Sequence, residues 1–236
     1  MKSLLFALCF GALILVGCED ADIVGSGTIT SQDRPASAIH GLDVESSVDV
    51  VVTHGSTYSV RVEADDNIID RITTNIVNGV LNVEVSRGTG ISFSRATVYV
   101  TTNELNTLLS HGSGDVTVGE GFDVENMTVY LYGSGDVHLQ NIRSVKLTTN
   151  LLGSGNLTMN GEIDNHSGTL KGSGNLNAYD VVTKESAIVI YGSGNAQVHA
   201  MHTLYADIFG SGSIYYKGDP DVIEHVSGSG KVRRWL

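Results

Sequence analysis

The chain has 236 residues, of which 41% are hydrophobic, and a formal net charge of −12 from 14 basic and 26 acidic residues. This length suits one sizeable domain, and the acidity argues against nucleic acid as a partner because neutralising phosphates requires a basic surface. The two cysteines, Cys9 and Cys18, are too few for a disulfide scaffold.

Residues 1–17 are predicted to be a lipoprotein signal peptide. Lys2 supplies the positive start, and the apolar stretch from Leu4 to Val16 is too short to span a bilayer comfortably. The stretch closes on Leu15-Val16-Gly17-Cys18, which resembles the bacterial lipobox, where cleavage precedes a cysteine that receives a diacylglyceryl group. We therefore expect a lipid at Cys18 that attaches the protein to a membrane. An ordinary signal peptide with an incidental cysteine is the alternative.

The residue after the predicted lipidated cysteine bears on location. Asp at this place favours retention in the inner membrane, whereas this chain carries Glu19. The expected location is therefore the outer membrane of a bacterial envelope, with the periplasmic and surface-facing sides both left open. The oligomeric state is also left open.

Residues 18–38 are expected to form the lipidated N-terminus, a tether and a possible first strand. Gly25-Ser26-Gly27-Thr28-Ile29 resembles the later repeats, with Ile23 and Ile29 at their apolar offsets, and a polar connection from Ser31 to Pro35 follows. From Ile39 the sequence alternates between apolar and polar residues in short segments separated by turns, which predicts strands. Within these segments, Asp66 to Thr73 is expected to be a short helical turn or an irregular corner.

The second half of the chain is punctuated by a repeated Gly-Ser-Gly at intervals of 18 to 21 residues. Such a steady period predicts a stack of similar coils. The predicted structural corners are Gly112 and Gly114, Gly133 and Gly135, Gly153 and Gly155, Gly172 and Gly174, Gly192 and Gly194, Gly210 and Gly212, and Gly228 and Gly230.

Residues around each corner follow the two-residue period of a strand. Four positions after the first glycine stand Val116, Val137, Leu157, Leu176, Ala196, Ile214 and Val232, all apolar and expected inside. The intervening column is polar and expected outside: Asp115, Asp136, Asn156, Asn175, Asn195, Ser213 and Lys231. The corner glycines would point inward, where backbone lies close, and could adopt positive φ.

We therefore predict an all-β fold, a single-stranded parallel β-helix with one repeat per coil. A single domain is expected over residues 39–236, with irregular coils in 39–110 and regular coils in 111–236. The chirality rule for parallel crossovers predicts a right-handed coil.

The combined motifs resemble the bacterial head GIN domain family, known by the description "putative auto-transporter adhesin". The resemblance runs from about Gly25 to Val232 and includes Ile39 to Val44, Tyr58 to Asn67 and the Gly-Ser-Gly series. One departure is Ser46-Ser47, where the family usually carries a further corner of the Gly-Ser-Gly type. The resemblance implies a β-helical fold and an adhesin, and it brings no catalytic residues.

An aromatic row is the candidate ligand-binding site. Tyr132, Tyr191 and Phe209 directly precede a corner and Tyr130 stands two residues earlier, so the four side chains should project from one face. An exposed aromatic row can stack on sugars or contact a protein partner, and scattered aromatic residues with ordinary strand propensity are the alternative.

Other chemistry is weaker. The Asp column could bind calcium or, through Asp115 and Asp136, hydrolyse glycans, but it more simply suits an outward hydrogen-bonded ladder. His199 and His202, expected in a loop, lack a third metal ligand. No cofactor or metal is expected. The basic cluster Lys231, Arg233 and Arg234 is interpreted as a charged cap against end-to-end pairing.

These observations predict a non-enzymatic, lipid-anchored envelope protein that acts as an adhesin or binding module for glycan or protein ligands. A β-helical enzyme that processes polysaccharides and a self-assembling structural element are the alternatives.

Overall fold

The computed structural model describes residues 23–86 and 90–235. The predicted signal peptide and Cys18 lie outside these residues. The described chain is all-β apart from one short 3₁₀ turn, and no helix in it is long and apolar enough to cross a membrane.

The strands in chain order are β1 (Ile23–Val24), β2 (Ile29–Arg34), β3 (Gly41–Val44), β4 (Asp49–His54), β5 (Ser59–Asp65), β6 (Ile72–Val77), β7 (Val80–Val85), β8 (Ile91–Ser92), β9 (Ala96–Thr102), β10 (Thr107–Ser110), β11 (Val116–Val118), β12 (Asp123–Leu131), β13 (Val137–Leu151), β14 (Leu157–Leu170), β15 (Leu176–Ile190), β16 (Ala196–Ile208), β17 (Ile214–Lys217), β18 (Asp221–Val226) and β19 (Val232–Arg234). The 3₁₀ turn, Ile69–Arg71, lies between β5 and β6.

From β10 onward the strands stack in parallel, one repeat above the next. The register places Val116 beside Val137, Val137 beside Leu157, and Leu157 beside Leu176, and continues through Ala196 and Ile214 to Val232. The predicted parallel β-helix with one repeat per coil is therefore confirmed.

The inward columns form one continuous core. The column two residues before each corner, from Leu131 through Leu151, Leu170 and Ile190 to Ile208, is at most 1% exposed. Each of these side chains contributes roughly 1.5–3 kcal/mol on burial, so the stack is held mainly by apolar packing between coils.

Contacts between the corners of successive coils explain why the corners contain glycine. The carbonyl of the first glycine accepts a hydrogen bond from the serine N–H of the next coil, as from Ser173 to Gly153 and from Ser193 to Gly172, both at 3.1 Å. A Cβ on Gly172 would overlap this same carbonyl of Gly153. Glycine is therefore required by the coil directly beneath. The sequence had also allowed positive φ as a reason for glycine at the corners. None of the corner glycines has a positive φ.

Ser46 and Ser47 form the first corner of this series although they lack glycine. Gly112 approaches the carbonyl of Ser46 as later glycines approach one another. On its other side Ser46 faces the coil of β7 and β9, which joins its strands by the longer connection 86–95. The greater length of this connection accounts for a serine at position 46, where the later corners carry glycine.

The first third of the chain departs from a simple stack. β3 pairs with β7 and β10, and β4 pairs with β9 and β11, so the coil of β7 and β9 lies beneath the coil that precedes it in sequence. Antiparallel strands then cover this end. β5 pairs with β9, β2 pairs with β5, and β6 pairs with β7.

Two expectations for this region were wrong. The stretch from Ser31 to Pro35, expected as a connection, mostly belongs to strand β2. Ile29, expected at an inward offset, is 41% exposed because β2 is an antiparallel edge strand and not part of a coil. The Asp66 to Thr73 expectation is confirmed, since it contains the 3₁₀ turn.

The last coil carries charges at inward positions. Glu224 follows Ala206 in an inward column, and Arg234 follows Tyr216 in another. Arg234 also pairs with Asp219, with 3.1 Å between Nη1 and Oδ1. Charged residues at inward positions oppose the addition of a further coil. Of the three residues predicted to form a charged cap, Arg234 lies at such a position.

The corner geometry yields a first prediction. Gly172→Ala should lower the free energy of unfolding by about 2–3 kcal/mol, because the added methyl overlaps backbone that cannot move without losing a hydrogen bond. The neighbouring exposed Ser173→Ala is the matched control and should change stability by less than about 0.5 kcal/mol. Denaturant titration measures both, and equal stabilities would contradict this account of the corners.

His166 and Thr149 form a polar pair in the interior of the stack. The His166 ring is buried, its Nε2 lies 3.0 Å from the Thr149 hydroxyl, and its Nδ1 has no partner within the described chain. Burial lowers the pKa of His166 from 6.5 to about 4. The folded protein therefore keeps this ring neutral in a pH range where the unfolded chain protonates it.

This difference predicts a loss of stability in acid. As the pH falls from 6.5 to about 4, His166 becomes protonated in the unfolded state but stays neutral in the folded state. The cost reaches about 3 kcal/mol at the lower end. His166→Leu should abolish this component, so its stability relative to wild type should rise as the pH falls. A pH series of denaturant titrations measures the difference, and parallel curves for His166→Leu would contradict the prediction.

Candidate functional site

The predicted aromatic residues lie on one exposed face of the stack. Tyr132, Tyr191 and Phe209 are 42%, 52% and 44% exposed and directly precede a corner. The same column also contains His111, Leu152 and Lys171, which the sequence interpretation left out, and it ends at Ser227 in the last coil. We call these six side chains, His111, Tyr132, Leu152, Lys171, Tyr191 and Phe209, the ridge.

Backbone hydrogen bonds place the ridge residues on consecutive coils. Tyr132 donates to Ser110, and the N–H groups of Leu152, Lys171, Tyr191 and Phe209 each donate to the residue two before the preceding corner, all at 2.8 Å. At the spacing of neighbouring strands, five steps give a ridge about 24 Å long. The missed residues could have been found by reading the whole column instead of its aromatic members.

The rings of the ridge stack on one another along the coil axis. His111 and Tyr132 have centroids 4.5 Å apart at 5°, and Tyr191 and Phe209 have centroids 5.1 Å apart at 11°. Tyr130, half-buried on the same face, lies 5.8 Å from Tyr132 at 8°. Lys171 places its ammonium 5.8 Å from the ring centroid of Tyr191.

This packing decides what the ridge presents to a ligand. Rings stacked at coil spacing cover much of each other's faces, so mainly their edges point outward. A sugar that binds by stacking needs an open ring face. Ring edges suit other aromatic faces, carbonyl oxygens and apolar side chains, which are the contacts that protein surfaces offer.

One end of the ridge contains an acid–base pair. Nε2 of His111 lies 3.5 Å from Oδ1 of Asp43. Burial raises the pKa of the Asp43 carboxyl, and the nearby His111 partly offsets this effect. The pair gives this end of the ridge a polar boundary.

The polar column beside the corners is a hydrogen-bonded ladder. Each side-chain oxygen accepts the backbone N–H of its counterpart one coil later, as Asp136 accepts Asn156 at 2.8 Å and Asn175 accepts Asn195 at 2.9 Å. Where an Asn follows another Asn or an Asp in this column, its side-chain Nδ2 also donates to the side-chain oxygen of the preceding residue. Asn175 Nδ2 donates to Asn156 Oδ1 in this way at 2.9 Å. The ladder runs from Asp49 to Lys231.

The other candidates gain little from the geometry. Asp115 and Asp136 each use Oδ1 to accept a backbone N–H, so the pair serves the ladder. His199 and His202 lie in strand β16, which corrects the expectation of a loop. Among residues 23–86 and 90–235, no group of three or more His, Cys, Asp or Glu side chains could hold a metal ion.

The family model described as "putative auto-transporter adhesin, head GIN domain" matches residues 39–220. The chain belongs to the head GIN domain family. The predicted family resemblance is therefore confirmed. A comparison with curated proteins finds no match.

Solved structures of other proteins share this fold. A "putative adhesin" from Bacteroides fragilis is 22% identical with a TM-score of 0.87, over 90% of this chain and 100% of its own. A "putative lipid binding protein" from Parabacteroides distasonis is 23% identical with a TM-score of 0.74, over 91% of this chain and 100% of its own. A "putative adhesin" from Parabacteroides merdae is 22% identical with a TM-score of 0.60, over 91% of this chain and 99% of its own. At these identities the likeness establishes the fold alone.

The ladder of this head GIN domain predicts that substitutions at two sites change the stability of the fold in opposite directions. Asp115→Asn with Asp136→Asn should stabilise the fold by about 1 kcal/mol, because it adds amide bonds and removes repulsion between like charges on neighbouring strands. Asn175→Ala should destabilise it by about 1–2 kcal/mol, because the Asn195 N–H loses its acceptor. The exposed corner change Ser193→Ala is the control.

Salt separates the two contributions to the stabilised double variant. At about 1 M salt the Debye length is roughly 3 Å, so the repulsion between the carboxylates of the wild-type ladder is largely screened. Only the stabilisation from the added amide hydrogen bonds should then persist. Denaturant titrations at low and high salt measure this difference. A double variant that is less stable than wild type at low salt would contradict the ladder's assignment.

Proposed function

We propose that this protein is a non-enzymatic adhesin-type binding module of the bacterial cell envelope, tethered by a lipid at Cys18 and engaging its ligand through the ridge. The family and the similar structures are described as adhesins or a lipid-binding protein and not as enzymes. The observation that carries the proposal is the ridge itself, because a line of exposed aromatic and apolar side chains with one lysine among them is typical of an interaction surface.

The ring geometry favours a protein ligand over a glycan. Tyr132, Tyr191 and Phe209 each have one ring face stacked on another ring of the ridge, so less face area is open to a sugar. The contacts repeat at coil spacing, so many similar shallow contacts would combine, and several copies on one membrane would add avidity. A glycan ligand remains the competing outcome of the test.

An enzymatic role receives less support from the same surface. Glycoside hydrolysis needs an acid and a second carboxylate free to act on either side of a bond. Asp115 and Asp136 are engaged along the ladder. A depression of about 490 Å³ between β2 and β6 contains one carboxylate, Asp70, which accepts a hydrogen bond from Gln32.

A role in self-assembly is also disfavoured. The antiparallel strands cover one end of the stack, and Glu224 and Arg234 occupy inward positions at the other. Both features oppose the addition of further coils from another copy.

Binding measurements test the proposal. The chain from residue 19 to 236 is applied to arrays of envelope proteins and of envelope glycans, with product analysis in parallel. Tyr132→Ala with Tyr191→Ala should weaken saturable binding at least about 10-fold, because truncated aromatic anchors typically cost more than 1 kcal/mol each.

A matched pair on another face controls for general stickiness. Val145 and Val182 are 50% and 42% exposed, and changing both to Ala should leave binding unchanged. Equal losses in the two double variants would contradict a role for the ridge. New reducing ends or unsaturated sugars would replace the proposal with an enzyme, and silence on both arrays would favour a structural role.

A further inference from the structure

Two separate sequence motifs meet at the N-terminal end of the stack. Gly27 donates its N–H to Asp65 Oδ1 at 2.7 Å, and the Ser26 N–H and hydroxyl donate to Asn67 and Asp66 at 3.0 and 2.6 Å. Asn67 donates back to the Val24 carbonyl at 2.9 Å. We call this contact, between residues 24–27 and 65–67, the tether clamp.

The clamp is built around a buried carboxylate. Asp65 is 0% exposed and also accepts the Ser94 N–H at 2.8 Å. Burial alone would favour the neutral acid, but the hydrogen bonds from Ser94 and Gly27 outweigh it and lower the pKa of Asp65. A Cβ on Gly25 would overlap this carboxylate, which explains why a Gly-Ser-Gly occurs here without forming a corner.

A short pair of parallel strands continues the clamp toward the N-terminus. β1 pairs with β8, with Ile23 donating to Gly90 and Gly25 donating to Ser92, both at 2.8 Å. β8 lies in the connection 86–95, which takes the place of a corner in the coil of β7 and β9. The chain therefore enters the domain at the base of the column of corners.

The length of chain before the clamp limits how far the domain can stand from an anchor. Four residues, 19–22, separate Cys18 from Ile23. Fully extended, the five steps from Cys18 to Ile23 span at most about 18 Å. The coils from β7 and β9 up to β18 and β19 give a stack about 38 Å long at strand spacing.

We propose that the tether clamp holds the N-terminal end of the stack against the bilayer surface, so that the last coil is the end farthest from the membrane. The inference rests on the lipid at Cys18 that forms part of the proposed function. β2, the 3₁₀ turn and β6 then face the lipid headgroups, and the ridge begins near the membrane at His111 and runs outward to Phe209.

Energy transfer to labelled lipid tests this orientation. The mature chain retains no cysteine besides the lipidated one, so a single new cysteine carries the donor dye. Ser37→Cys marks the N-terminal end, where Ser37 adjoins β6, and Ser229→Cys marks the last corner. The lipidated protein is bound to phosphatidylcholine vesicles that contain an acceptor lipid, and transfer from position 37 should exceed transfer from position 229 several-fold.

Variants separate the clamp from the lipid. Asn67→Ala removes two clamp hydrogen bonds and should reduce the difference between the two positions, since it loosens the tether. Asn165→Ala removes one exposed side-chain bond in the middle of the stack and should leave the difference intact. Flotation with vesicles is measured for every variant.

Each result decides a different point. Protein that floats but shows equal transfer from both positions overturns the orientation and leaves the anchor standing. A wild-type difference that Asn67→Ala leaves unchanged overturns the role of the clamp. Processed protein that fails to float overturns the lipid anchor and the orientation with it.

Discussion

The hydrogen bond between successive corners is the contact on which the rest of the structure depends. A serine N–H meets the glycine carbonyl of the coil beneath, and the two backbones come so close that no side chain fits between them. Once the corners are stacked at this distance, the positions that flank them lie directly above their counterparts, and the register shifts only farther away, as between Leu139 and Ile142. Columns of like residues then follow, with aliphatic side chains inside and the amide and carboxylate ladder outside.

The same alignment creates the candidate site. A residue that precedes a corner is repeated on every coil, so exposed side chains at that offset form a line without a dedicated loop or pocket. The stacking of His111 on Tyr132 and of Tyr191 on Phe209 reflects the coil spacing, which is close to the distance between offset rings. The line is consequently stiff, and its chemistry is set by which residue types occupy one column.

Periodic positions could be predicted from sequence because each depends on a local two-residue alternation and on its neighbours one repeat away. This is why Val116 to Val232 were placed inside and the Asp and Asn column outside. The first third could not be predicted in the same way. Whether β3 lies beside β7 or only beside β10 depends on pairings between segments roughly 40 to 70 residues apart, and nothing local records them.

The same Gly-Ser-Gly motif has different structural roles at different places in the chain. Gly25-Ser26-Gly27 reads like a corner, yet its surroundings are decided by the carboxylate of Asp65, which lies far along the chain. The reason for the corner glycines was likewise hidden, because the obstructing carbonyl belongs to another coil. At the candidate site, the aromatic side chains are predictable from their residue type, whereas His111, Leu152 and Lys171 belong to the ridge only through their position in the column.

The order of the coils has a consequence for how the length of such a protein can vary. The coil of β3 and β4 is enclosed between its neighbours, and the antiparallel strands are tied to the base. At the far end, the charged inward positions terminate the stack. Whole repeats can therefore be gained or lost only in the interchangeable middle, between the corners at Gly133 and Gly210, where each unit pairs with a near copy of itself. Duplication there would move the last coil outward by one strand spacing at a time and lengthen the ridge in step, while both ends remained as they are.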